Sequence, residues 1–155
     1  MGLLCECNGI AATSATPISV TINGENRTGT LTANVNICQS CRSTNSFINF
    51  SYTDDVDPRF NFTYSSQSVD LPRCEFFGEG NFGTLDTTSE GTAVGAIING
   101  TTMITAFTLL FEPHDPGPNL QFIRNIELTD EDGDTFNQNL QIQSDSGEII
   151  FCTPI

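Results

Sequence analysis

Six cysteines, at positions 5, 7, 38, 41, 74 and 152, carry most of the chemistry this 155-residue chain could perform. Cys5-x-Cys7 and Cys38-x-x-Cys41 form two close pairs, and four thiolates in two such pairs can hold a tetrahedral zinc ion. Against zinc, a C-x-C pair is not the usual knuckle spacing, and the stretch between Cys38 and Cys41 lacks the expected glycine. A redox C-x-x-C is disfavoured too, because no helix follows Cys41 to lower a thiolate pKa. Disulfides are the preferred reading. In an extended segment Cys5 and Cys7 point to one side with Glu6 opposite, and a bond between them would need a cramped ring. Their partners are therefore sought elsewhere, with Cys38, Cys41, Cys74 and Cys152 as anchors on the body.

The acidic run Thr129-Asp130-Glu131-Asp132-Gly133-Asp134-Thr135 offers hard oxygen ligands, so Asp130, Asp132 and Asp134 are the candidate ligands for Ca²⁺. The spacing is not that of an EF-hand, since taking Gly133 as the sixth loop position puts Leu128 at the first. A hairpin turn at Asp132-Gly133 with a solvated acidic tip is the simpler account. Asp54, Asp55 and Asp57 make a second acidic turn of the same kind.

Catalysis is poorly provided for, and no enzyme is expected. The single histidine, His114, sits in a proline-flanked loop and reads as a solvated residue; lysine, a GxSxG elbow and a glycine-rich phosphate loop are all missing. Nineteen acids supply many carboxylate pairs that could act on sugars, but nothing singles one out. With no tryptophan and only Tyr52 and Tyr64, a stacking platform for carbohydrate is poorly furnished, and the 12 phenylalanines read as core. Asn26, Asn61 and Asn99 each open an Asn-x-Thr triplet, a pattern that chains rich in Asn and Thr produce by chance.

Charge excludes further classes. Acids outnumber bases 19 to 5, and the five arginines stand singly, so neither nucleic acid nor an anionic membrane surface is an expected partner. No run approaches the 18 or so apolar residues of a spanning helix, so membrane insertion is not expected either. The opening residues lack the basic and long apolar regions of a secretory signal.

The elements that must place these groups are strands. Residues 1–17, ending at Pro17, read as a flexible N-terminal arm carrying Cys5 and Cys7, able to span roughly 55 Å when extended. From Ile18 the period is two: Ile18 to Ile22 and Leu31 to Ile37 flank a turn, and Ile48 to Tyr52 and Phe60 to Tyr64 flank TDDVDP. Asn99-Gly100 predicts a tight two-residue hairpin between Thr92–Ile98 and Thr101–Phe111. Further strands are expected around Cys74 to Phe77, Phe122 to Leu128, Leu140 to Ile142 and at the C-terminus. About nine or ten short strands without a helical stripe predict an all-β domain over 18–155, a single antiparallel β-sandwich of jelly-roll kind with an extended arm.

Exposed edges are usually guarded by lysine, and this chain has none; LTANVNI and MITAFTLLF carry little charge. Unguarded edges and a cysteine-tipped arm suit a structural subunit that polymerises with itself by strand pairing and is locked by disulfides between subunits. The arm could equally fold back onto its own domain. The acidic surface opposes assembly unless cations screen it. With Cys5 and Cys7 ahead of IAATSATP and a cysteine-bearing β body behind, the layout resembles bacterial surface fibre subunits, spore appendage proteins in particular. The resemblance implies an extracellular, cell-surface or spore-surface location and disulfides formed without a signal peptide. The alternatives are a monomeric extracellular binding module, Ca²⁺-dependent and with internal disulfides, and a small zinc-stabilised β protein.

Overall fold

Alternation of apolar and polar side chains builds eleven strands among the described residues: β1 (Cys7–Ile22), β2 (Glu25–Ile37), β3 (Phe47–Asp54), β4 (Phe62–Val69), β5 (Arg73–Phe77), β6 (Phe82–Gly95), β7 (Gly100–Glu112), β8 (Leu120–Asp130), β9 (Thr135–Gln138), β10 (Ile142–Gln143) and β11 (Ser146–Phe151). The computed structural model describes residues 5, 7–38, 41–42, 45–77, 82–112, 120–143 and 146–151, with the side chains of 76–77, 82, 111–112, 120–121 and 146–151 left out.

Strands β1 to β4 pair in succession, β4 pairs with β6, and β6, β7 and β8 continue the ladder, all antiparallel. The short β9 then pairs with β8 on one side and, through Thr21↔Asn137 and Ile22↔Phe136, with β1 on the other. The ring β1-β2-β3-β4-β6-β7-β8-β9 is a closed eight-stranded antiparallel barrel. This corrects the expected sandwich of jelly-roll kind. Both architectures place apolar residues on alternate positions; they differ in whether the first and last strands meet, which periodicity does not encode. Register shifts at Ala15/Ile18, Ser66/Ser68, Thr87/Ser89 and Ile104/Ala106 bend the strands, as closure requires.

The barrel is filled. Phe50, Tyr52, Phe62, Tyr64 and Phe136 are buried, and Phe136 of the closing strand lies 5.1 Å from the Phe62 ring, 5.7 Å from Phe50 and 5.8 Å from Tyr52, centroid to centroid. A four-residue strand holds the seam because its phenylalanine enters this aromatic cluster. Outward positions such as Thr32, Asn34, Thr63 and Ser65 are polar and exposed. Apolar inside and polar outside is the reverse of a barrel whose outer wall faces lipid.

The expected arm is also corrected. Residues 7–17 belong to β1, which pairs with β2 from Gly9 to Ala15 and with β11 from Cys7 to Ala12. IAATSATP looks weak because its residues are small, but Ala11 is fully buried, and small side chains suit a crowded interior. Pro17 does not stop the strand; it falls in the register shift between Ala15 and Ile18, where no ladder bond is lost.

Two turns differ from expectation in length. The β1–β2 turn is only Asn23-Gly24, with φ of 52° and 79°, the conformation this pair tolerates best. The β6–β7 connection is longer than the predicted two residues, since the ladder ends at Ala93↔Gly100. Ile98 accounts for this: at 1% exposure it is drawn into the core, and a two-residue turn would leave it in solvent.

Three strands stand partly outside the ring. Among the described residues β5 pairs only with β6, β10 only with β8 and β11 only with β1. Beside β10, Thr13 Oγ1 donates to the Gln143 carbonyl at 3.0 Å, a side-chain bond in place of a ladder bond.

Candidate functional site

The cysteines close within the chain. Cys5 is bonded to Cys38 and Cys7 to Cys74, with Cα separations of 6.2 and 6.4 Å. Cys41 is disulfide-bonded as well, while Cys152 lies outside the described residues. Cys5, Cys7 and Cys38 are buried. Backbone bonds hold the corner in place: Cys5 N–H donates to the Cys41 carbonyl, Cys41 N–H to the Cys38 carbonyl, and Cys38 N–H to Ser46 Oγ. Cys38 and Cys41 both take positive φ, so the chain doubles back and Cys38 faces Cys5 instead of Cys41. With these sulfurs oxidised, the four-thiolate zinc site and the redox C-x-x-C are both set aside. Loops of 33 and 67 residues correspond to about 4 kcal/mol of stabilisation each on the chain-entropy account.

The two acidic turns behave differently. Asp54 is the centre of a lock. Its Oδ1 accepts from Arg27 Nε at 3.0 Å and from the Tyr52 hydroxyl at 2.8 Å; its Oδ2 accepts from Arg27 Nη2 at 2.6 Å and from the Val56 and Asp57 amides. The Asp54 side chain is fully buried, and the Arg27 guanidinium lies 4.1 Å above the Phe60 ring. Hydrogen bonding from Arg27 holds the Asp54 carboxyl far below the usual carboxylate range, overcoming the desolvation that alone would raise it. Desolvation first, then the bond to Asp54, pushes the Tyr52 phenol up. Asp57 caps the 3-10 turn Pro58–Phe60 and pairs with Arg59, which lowers its pKa. No lone pair of Asp54 is left for acid–base work near neutral pH, so this cluster is structural.

At the β8–β9 turn one oxygen of each of Asp130, Asp132 and Asp134 comes within 4.8 Å of the others. Asp130 is buried, and its Oδ1 accepts from the Asp132 and Asp134 amides, both at 2.9 Å, which shapes the turn. Asp134 accepts from Asn23 Nδ2 at 2.8 Å, tying the β1–β2 turn to this one. Three protein oxygens fall short of the six to eight that Ca²⁺ takes, so water would have to complete any site here.

Of the remaining sequence candidates, His114 lies outside the described residues. Asn61 uses its side-chain oxygen to accept from the Asp54 amide at 2.7 Å, and Asn99 accepts from Gly95 N–H at 3.4 Å, whereas Asn26 is exposed at the start of β2.

Sequence reasoning missed a polar cleft of about 600 Å³ on the outer wall over β5, β6, β7 and β8. Leu85 and Leu109 point into the core, which turns Thr84, Asp86 and Thr108 outward. In the ladder Glu75 stands opposite Thr84 in one row, and in the next Asp86 stands opposite Thr108 and Thr108 opposite Asn125, so two adjacent rows bring polar side chains of four strands together. Thr108 Oγ1 donates to Asp86 Oδ1 at 2.6 Å. Arg124, Glu127 and Asn139 complete the lining. The only signal was the polar half of each alternating strand, which by itself describes any solvated sheet face. Comparison with known protein families, with characterised proteins and with solved structures finds no match to this chain.

Proposed function

We propose that the chain is a non-enzymatic structural subunit of an oxidising environment, at a cell or spore surface or outside the cell, whose copies join by strand pairing. The observation that carries this reading is the set of one-sided strands: among the described residues β5 and β11 each pair along one edge only, and the chain has no lysine to guard the other. Oxidised, buried cysteines support the oxidising setting. The covalent part of the expectation changes, since Cys5 and Cys7 bind within their own chain; the join proposed here is non-covalent.

Consecutive N–H groups of a strand point to opposite sides, so one of two adjacent prolines in β11 must remove an outward donor. Wild-type protein seen by electron microscopy should form fibres or oligomers that persist in thiol-free sodium chloride, and either Glu148→Pro or Ile149→Pro should shorten or abolish them. A wild-type monomer at all concentrations would sink the proposal.

A second reading, a monomeric Ca²⁺-dependent binding module with internal disulfides, is favoured by the closure of both described disulfides within the chain and by the Asp130, Asp132, Asp134 grouping. A monomer that binds Ca²⁺ in a calorimeter, and no longer does so as Asp132→Asn/Asp134→Asn, would favour it.

A further inference from the structure

We propose that the outer-wall cleft over β5 to β8 is a saccharide-binding site. The reasoning starts from the hydrogen-bonding sense of its lining. Glu75, Asp86 and Glu127 can only accept, Arg124 can only donate, and Thr84, Asn125 and Asn139 do both. A ligand that satisfies acceptor-only and donor-only groups side by side must donate and accept at closely spaced points. Vicinal hydroxyls do this. With three carboxylates against Arg124 the lining attracts a simple cation, but a cation would leave the donors of Arg124 unanswered, and Arg124 makes no ion pair among the described residues. An anion would meet Arg124 but face three carboxylates. Every residue in the lining is polar, so the cleft offers no face to a lipid or a flat aromatic.

Thr84 lines the cleft and leaves its hydroxyl free to bond a ligand in place of water. The volume, about 600 Å³, is in the range of small-molecule sites and large enough for more than one sugar ring. Without an aromatic side chain for stacking, the sugar is held by its hydroxyl edges, and affinity in the millimolar range follows.

Saturation-transfer difference NMR tests this on the full chain whether or not it assembles, so its outcome is separate from that of the polymerisation reading. The probes are maltotriose, cellotriose and chitotriose, each at about 5 mM, near the expected affinity. At least one should give a saturable signal, and Arg124→Ala and Asp86→Ala should each weaken its binding at least about tenfold. Arg124 is exposed, so its variant keeps the fold, and far-UV circular dichroism checks both. No signal from any of the three sugars, an undiminished signal in the Arg124 variant, or displacement of the sugar by equimolar spermidine would each overturn the assignment.

Discussion

Asp54 concentrates more hydrogen bonds than any other carboxylate described, and its removal would leave Arg27, Tyr52 and two backbone amides without their acceptor. Breaking a buried pair from one side is costly, and Asp54→Ala should lower unfolding stability by about 3 kcal/mol in a urea titration at pH 7. The pH dependence has a definite sign. Because the folded pKa lies below the ordinary 3.8, Asp54 contributes its full stabilisation above that value and loses it as pH falls toward the folded pKa. Wild-type stability should therefore drop on acidification below about pH 4 more steeply than that of Asp54→Asn, and equal slopes would show that the carboxylate is not held as described. Little of this was legible beforehand. TDDVDP announces a turn through its own residues, but the guanidinium that fixes Asp54 is 27 residues away on the other side of a hairpin, and no local pattern ties the two.

The hairpin elements were legible where side chains alternate strongly, as in Leu31 to Ile37, because one buried face fixes both period and register. Elements that depend on distant partners were not. Thr135–Gln138 is too short to show a period, yet it closes the barrel; β1 before Ile18 is built of small residues whose burial is decided by what packs over them. Phe136 tests the importance of the closing strand directly. Truncating a buried phenylalanine to alanine costs about 3 to 5 kcal/mol, and here the loss falls on a strand with two ladder pairs to β1. Phe136→Ala should raise amide hydrogen exchange at Thr21, Ile22 and 135–138 at least about tenfold while leaving the β2–β3 amides protected. Uniform acceleration across all strands would mean that β9 and the ring unfold as one unit, with no separable seam.

Over the whole molecule, antiparallel order puts the β1–β2, β3–β4, β6–β7 and β8–β9 turns at one end, and bonds such as Asn23 N–H to the Thr135 carbonyl and Glu131 N–H to the Thr101 carbonyl hold neighbours together there. Glu25, Asp55, Asp57, Asp130, Glu131, Asp132 and Asp134 gather at that end against Arg27 and Arg59, both already paired with aspartates. A chain of net charge −14 that joins copies through strand edges must work against its own field. The Debye length shrinks from about 30 Å to about 8 Å between 10 and 150 mM sodium chloride, so repulsion between neighbouring copies is largely screened over that range while hydrogen bonding in the ladder is not. Weight-average mass in sedimentation equilibrium should rise with salt for the wild type and stay flat for whichever β11 proline variant blocks the edge. Calcium at about 1 mM should do more than sodium at equal ionic strength only where carboxylates such as Asp132 and Asp134 bridge it, because diffuse screening depends on ionic strength alone. A mass that falls with added salt would mean that copies are joined by opposite charges, and the lysine-free edges would then have no part in the join.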